Sequence, residues 1–157
     1  MTQEQPSAAS RNDLVASRGE PADERLLLLA QEPDEVPLLS ALTQSAVLRA
    51  SEIAFDRRAR RLVLLLRRYR WEAGDQTRVE SALRIESVTA VQRRGWPDDT
   101  GAQVETVLEL LAFSLADGVI TASFGGGAAL RIVVECVDMV LEDMSGPWRA
   151  SGEPSYG

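Results

Sequence analysis

Arginine is the residue whose abundance and spacing most suggest a chemical role in this sequence. Between positions 49 and 70 the chain has eight arginines and only two acidic residues, whereas its overall net charge is −7. The guanidinium group binds carboxylates and phosphates through paired hydrogen bonds. The cluster is therefore either a surface for an anionic ligand or acidic partner or, as we favour, a solvated hairpin turn that carries four of the arginines, while the others pair with acids on neighbouring strands. The candidate contact residues are Arg57, Arg58, Arg60, Arg61, Arg67, Arg68, Arg70 and Trp96.

Aromatic side chains suggest two further kinds of contact, one with nucleic acid and one with another protein. Tyr69 and Trp71 adjoin the arginines and are able to stack on nucleic-acid bases, but a negatively charged chain repels nucleic acid at long range, so we expect none to bind. Trp96 lies in a polar loop, where an exposed indole would anchor a protein interface. Trp148 follows a Gly-Pro turn, and we expect it to fold back over the core.

The residue types that are missing exclude most catalytic mechanisms. The sequence contains no histidine and no lysine. A Ser-His-Asp triad, a histidine metal site, a Schiff-base lysine and a phosphate-loop lysine are therefore all excluded. Its single cysteine, Cys136, lies among valines, which predicts a buried thiol with a packing role. We expect no enzyme activity.

Two short motifs imitate cofactor sites without matching them. Glu135, Asp138, Glu142 and Asp143 resemble a hard-metal site, but the calcium-loop spacing is missing. The triplet Gly125-Gly126-Gly127 lies between two β-like runs instead of before a helix, so it predicts a hairpin turn and not a phosphate cradle. We therefore expect neither a metal nor another cofactor.

Around these residues, the hydrophobic pattern predicts one helix and then a series of strands. The run from Arg25 to Ala30 predicts a first strand, and a helix follows with Asp34 as its cap, Pro37 in its first turn and an apolar face of Val36, Leu39 and Leu42. Strands are predicted at 46–55, 62–71, 79–94 (with a bulge near 86–87), 104–115, 119–124 and 129–135. Residues 137–144 fit a helix or a strand, with strand slightly favoured.

The predicted fold class is mainly β (α+β). About six or seven antiparallel strands in a meander, with one N-terminal helix, form a small barrel or a strongly curved sheet. Residues 1–24 and 150–157 are predicted to be flexible tails of a single domain at 25–149. No apolar run is long enough to span a bilayer and no secretory signal is recognisable, so we expect a cytoplasmic protein.

Several short motifs, taken in order, resemble those of a known bacterial family. They are Ile53-Ala54-Phe55, Tyr69-Arg70-Trp71-Glu72, Phe124-Gly125-Gly126-Gly127, Val134-Glu135-Cys136-Val137, Leu141-Glu142-Asp143 and Gly146-Pro147-Trp148. Over about residues 25–149 they resemble domain-of-unknown-function family 2948. The resemblance implies a compact bacterial domain and assigns no active-site residue.

These observations leave the function unknown and favour a binding role. A non-catalytic protein-interaction or scaffold domain, possibly self-associating, is the first hypothesis. A module that binds a small anionic ligand is the alternative.

Overall fold

The computed structural model describes residues 25–96 and 106–151. The predicted tails fall largely outside these ranges. One helix and eleven strands make up the described fold. The helix, α1, spans Val36–Thr43. The strands are β1 (Leu27–Ala30), β2 (Val47–Arg49), β3 (Ile53–Asp56), β4 (Arg61–Tyr69), β5 (Thr77–Ile85), β6 (Val88–Arg94), β7 (Val107–Ala116), β8 (Val119–Phe124), β9 (Ala129–Val134), β10 (Met139–Asp143) and β11 (Trp148–Arg149).

All of these strands belong to one antiparallel sheet. Its hydrogen-bonded order is β1-β10-β5-β4-β2-β7-β8-β9-β6, with β3 added on β4 and β11 added on β5. This confirms the mainly β class with one N-terminal helix. The prediction of six or seven strands was too low, because breaks in the long apolar runs divide them. The order begins at β1 and ends at β6, so the predicted closed barrel is not confirmed.

The sheet bends where β5 continues into β6. Ser87 takes a positive φ of 58°, the N–H of Glu86 donates to the carbonyl of Asp138, and the N–H of Glu135 donates to the carbonyl of Ser87. The predicted single strand 79–94 is therefore divided at 86–87, and the irregularity in pairing lies just after this break, between Val88 and Ala90. Because β5 pairs with β10 and β6 pairs with β9, the segment β9–β10 changes direction at the same place as β5–β6, and the two segments enclose the core.

Two of the turns follow directly from local sequence. Asp117 and Gly118 both have positive φ and join β7 to β8 as a two-residue hairpin, the conformation that an Asp-Gly pair favours. The triplet Gly125–Gly127 is a short 3-10 turn between β8 and β9, as predicted. The ambiguous segment is strand β10.

The core lies on the inner face of the bent sheet and is covered at one end by α1. Leu62, Leu64 and Leu66 of β4 are buried, as are Val36 and Leu39 of the helix. The predicted apolar face of the helix is thereby confirmed, since Leu42 also packs against the core.

Several local predictions were wrong. Asp34 does not cap the helix: Glu35 accepts hydrogen bonds from the N–H groups of Gln31 and Glu32 in a preceding 3-10 turn. The predicted strand 46–55 is interrupted by a 3-10 turn at Ala50–Glu52. That turn lets β2 pair with β7 while β3 pairs with β4.

The environments of Cys136 and Trp148 also differ from expectation. Cys136 is exposed, because it lies in the turn that joins β9 to β10 instead of inside a strand. Trp148 is 41% exposed, because β11 extends the sheet along β5 and does not fold back over the core. In the described ranges, no helix is long and apolar enough to cross a membrane.

Candidate functional site

A buried ion pair is the most elaborate polar arrangement in the described structure. Arg68 on β4 is fully buried, and its guanidinium lies 3.0 Å from a carboxylate oxygen of Asp143 on β10. The same carboxylate accepts hydrogen bonds from the Ser81 hydroxyl at 2.7 Å and from the N–H of Leu26 at 2.9 Å. Glu72 binds the other side of the guanidinium through two hydrogen bonds of 2.8 and 2.9 Å. The network thus joins β4, β5 and β10 to Leu26, the residue that directly precedes β1.

Both carboxylates keep Arg68 charged in the interior. Burial alone would lower the pKa of Arg68, but Glu72 and Asp143 together raise it above its ordinary value. Burial alone would raise the pKa of Glu72, but the hydrogen bonds and the charge of Arg68 lower it. Since every charge in the network has a partner, we assign the network a structural role.

The alternation of side chains along β4 indicates from the sequence that Arg68 is buried. Arg68 has the same parity as Leu62, Leu64 and Leu66, so it lies on the inner face of β4. Asp143 likewise shares its parity with the buried Leu141 of β10. Identifying the pair from the sequence would have required the register between β4, β5 and β10.

Most of the other candidate arginines also pair within the chain. Salt bridges join Arg60 to Glu135, Arg61 to Glu86, Arg67 to Glu52 and Arg70 to Asp75. Pairing of Arg67 with an acid was favoured above, whereas Arg60 and Arg61 belong to the hairpin whose arginines were expected only to be solvated. The guanidinium of Arg57 lies 5.4 Å from the centre of the Phe55 ring. Arg58 is exposed in the turn between β3 and β4. Whether any of these residues contacts a partner stays a prediction.

The predicted acidic group does not converge on one point. Asp143 is buried against Arg68, Glu135 pairs with Arg60, and Glu142 is exposed on the other face of β10. Within the described ranges, no three potential ligands are placed to hold a metal ion.

Trp96 packs on the core at the rim of a cleft. Its ring meets Phe124 edge to face at 5.8 Å, and the guanidinium of Arg93 lies 5.7 Å from the ring centre. The cleft has a volume of about 450 Å³ and opens between β3, β4, β6 and β9. Its apolar lining consists mainly of Ile53, Phe55, Leu62, Val91, Trp96 and Leu130. Sequence analysis missed this cleft because its lining comes from four separate strands.

An exposed apolar edge is the second feature that sequence analysis missed. Leu27 and Leu29 of β1 are 62% and 50% exposed, and β1 is the first strand in the order of the sheet. On the same outer face of β10, the exposed Glu142 lies beside Leu27 and Val140 lies beside Leu29, so the exposed apolar surface is centred on the edge strand itself. The four consecutive leucines at 26–29 were predicted to form a strand, but a run that is apolar at every position does not show that one face meets solvent.

Comparison with known proteins gives a family but no activity. The family described as "Protein of unknown function (DUF2948)" matches residues 26–156, slightly farther toward the C-terminus than the resemblance noted above. No curated protein and no solved structure matches the chain significantly. Because the match covers all eleven strands and the helix, the chain belongs to the DUF2948 family of proteins of unknown function.

Proposed function

We propose that the chain is a non-catalytic interaction domain of the bacterial cytoplasm that associates with a second copy of itself through the edge strand β1. The observation that carries the proposal is the exposure of Leu27 and Leu29 on a strand that, among residues 25–96 and 106–151, pairs with a neighbour on one side only. An unpaired strand edge without charged residues is a template for pairing with another chain.

The hydrogen bonds between β1 and β10 show which backbone N–H and C=O groups of β1 point away from the sheet. The N–H of Asp143 donates to the carbonyl of Leu26, so Leu26, and by alternation Leu28 and Ala30, direct their backbone groups toward β10. The N–H and C=O groups of Leu27 and Leu29 therefore point away from the sheet. They are the groups that an added strand would use.

The opposite end of the sheet differs in a way that favours β1. The edge strand β6 ends in Gln92, Arg93 and Arg94, all of them exposed. Charged side chains on an edge oppose strand addition. In contrast, β1 has no charged residue between Leu27 and Ala30.

The sequence of β1 is complementary to itself in an antiparallel arrangement. If Leu28 lies on the two-fold axis, Leu27 of one copy pairs with Leu29 of the other and all four leucine side chains lie on one face. Arg25 then faces Gln31 of the other copy and lies next to its Glu32, which places opposite charges together. An interface based on one short strand is small, so we expect a reversible dimer with a dissociation constant of about 1 µM or weaker.

Sedimentation velocity over about a hundredfold range of concentration around this value tests the proposal. We expect the wild-type chain to shift from monomer to dimer, and the variant Leu27→Lys/Leu29→Lys to stay monomeric. Leu38→Lys is the matched control, since Leu38 is 53% exposed on the helix and should leave the dimer intact. Circular dichroism should show that both variants remain folded. A wild-type chain that is monomeric throughout, or a double variant that dimerises normally, would refute the proposal.

A further inference from the structure

The edge strand β1 is attached to the fold by few contacts. It has four residues, pairs with β10 alone among the described strands, and buries only Ala30 completely. Short terminal segments with little buried apolar surface open locally at a low cost in free energy. A strand that frays does not present its backbone groups in a fixed direction, so the use of this edge depends on what anchors it.

The side chain of Asp143 provides an anchor at the start of β1. One step beyond the pair of Leu27 and Glu142, the register places Leu26 opposite Asp143. The N–H of Asp143 donates to the carbonyl of Leu26 at 2.9 Å, and the N–H of Leu26 donates to Oδ2 of the Asp143 carboxylate at 2.9 Å. A regular antiparallel pair of this kind exchanges two bonds between backbone groups. Here the carboxylate takes the place of the backbone carbonyl as the second acceptor.

The core fixes the position of this carboxylate. Its Oδ1 accepts hydrogen bonds from the Ser81 hydroxyl at 2.7 Å and from Nε of Arg68 at 3.3 Å, and its Oδ2 accepts one from Nη2 of Arg68 at 3.0 Å. The side chain of Asp143 is 1% exposed. A buried polar network with all its bonds made is rigid. Leu26 is therefore bound to a point whose position is set by β4 and β5.

We propose that Asp143 is the positioning residue of the self-association edge: its carboxylate holds Leu26, so that the adjacent Leu27 presents its N–H and C=O groups to a second copy in a fixed direction. The inference rests on the proposed dimer and adds that its interface depends on a buried residue one strand behind it. In the two-fold arrangement Leu27 of each copy pairs with Leu29 of the other, so the dimer uses the anchor twice.

Sedimentation velocity of the variant Asp143→Asn tests the inference. The amide keeps the size of the side chain, but its NH2 group does not accept hydrogen bonds, so it cannot serve Arg68, Ser81 and the N–H of Leu26 together. We expect the dimer to weaken at least about tenfold, since each of the two copies loses one hydrogen bond. Ile132→Ala is the control for lost stability, because it removes buried packing on β9, which pairs with neither β1 nor β10. It should change the dissociation constant by less than about twofold.

A second pair of variants separates the hydrogen bond from the ion pair, and it decides the question even if Asp143→Asn does not fold. Leu26→Pro removes the N–H donor and leaves the Asp143 carboxylate with Arg68 and Ser81. Leu26→Ala shortens the same side chain and keeps the N–H. We expect only the proline variant to weaken the dimer at least about tenfold.

Amide hydrogen exchange gives a readout in the monomer, below the dissociation constant. The N–H of Leu28 faces β10, so its exchange reports the opening of β1. In Asp143→Asn and in Leu26→Pro it should accelerate at least about tenfold relative to the amide of Leu64 on β4. Global destabilisation alone would accelerate both amides together.

The outcomes distinguish this inference from the proposed function. A wild-type chain that is monomeric at every concentration refutes the dimer and the inference with it. If the wild type dimerises and both Asp143→Asn and Leu26→Pro dimerise equally well, or if the exchange of Leu28 is not accelerated, the inference is refuted and the dimer stands. If Ile132→Ala or Leu26→Ala weakens the dimer as much as its counterpart, the effect is a general loss of stability or packing, which also refutes the inference.

Discussion

Removing the Asp143 carboxylate should strongly destabilise the fold, because it breaks the buried ion pair with Arg68. The substitution Asp143→Ala leaves Arg68 buried with Glu72 as its remaining acidic partner. It also removes the acceptor for the Ser81 hydroxyl and for the N–H of Leu26. Leu26 directly precedes β1, so this edge strand loses an anchor as well.

The magnitude follows from these lost contacts. Breaking a buried ion pair by removing one partner costs about 3–5 kcal/mol of unfolding free energy, because the other charge is left uncompensated. Glu72 still neutralises part of the charge on Arg68, which reduces the cost. The unsatisfied Ser81 hydroxyl and Leu26 amide each add about 1 kcal/mol. We therefore expect a loss of about 4 kcal/mol.

Urea unfolding followed by circular dichroism measures this loss. With a denaturant slope of about 1.5 kcal/mol per molar, the midpoint should fall by roughly 2–3 M. Ser81→Ala removes one hydrogen bond and keeps the ion pair, so it should cost only about 1 kcal/mol. If Asp143→Ala lost less than about 1 kcal/mol, the ion pair would not stabilise the core as argued.

Three further outcomes follow from other parts of the structure. Arg68 depresses the folded-state pKa of Glu72 below its ordinary value of 4.5, so the stabilisation by this ion pair is complete above that value and is lost as pH falls through the folded pKa. The difference in urea midpoint between wild type and Glu72→Gln should therefore shrink between pH 7 and 3.5. A constant difference would contradict the assignment. Gly95→Ala should cost well over the roughly 1 kcal/mol expected for Gly126→Ala, since both have positive φ but only at Gly95 would the new methyl group lie 2.5 Å from a backbone oxygen; equal thermal shifts would contradict this. Exposed Cys136 should react with iodoacetamide nearly as fast in native protein as in urea, and protection in the native state would mean that the thiol is covered.

Local patterns in the sequence predicted most of the secondary structure. The Asp117-Gly118 hairpin, the irregularity near Ser87 and the Gly125–Gly127 turn each depend on a few adjacent residues with special backbone conformations, so they are visible without tertiary information. The break at Ala50–Glu52 was not predictable in this way. It arises because Glu52 accepts a hydrogen bond from the N–H of Arg49 and pairs with Arg67 on another strand.

The candidate sites were less predictable because they depend on register. The charge of Arg68 identified it as a residue of interest, but only the pairing of β4 with β5 and of β5 with β10 brings it to Asp143. The cleft at Trp96 requires β3, β4, β6 and β9 to meet at the bend of the sheet. No pattern within one segment contains this information.

The arrangement of charge indicates where binding is to be sought on this fold. Arg60, Arg61, Arg67, Arg68 and Arg70 all form salt bridges within the chain, so the largest cluster of charge in the sequence is mostly used to hold strands and turns together. An arginine already paired with an acid must exchange that partner before it binds another, which weakens its attraction for a ligand. The edge strand β1 carries no charged residue between Leu27 and Ala30, so binding is to be sought there first. Through the hydrogen bond from Leu26 to Asp143, the most deeply buried charge pair also anchors the strand that we propose for self-association.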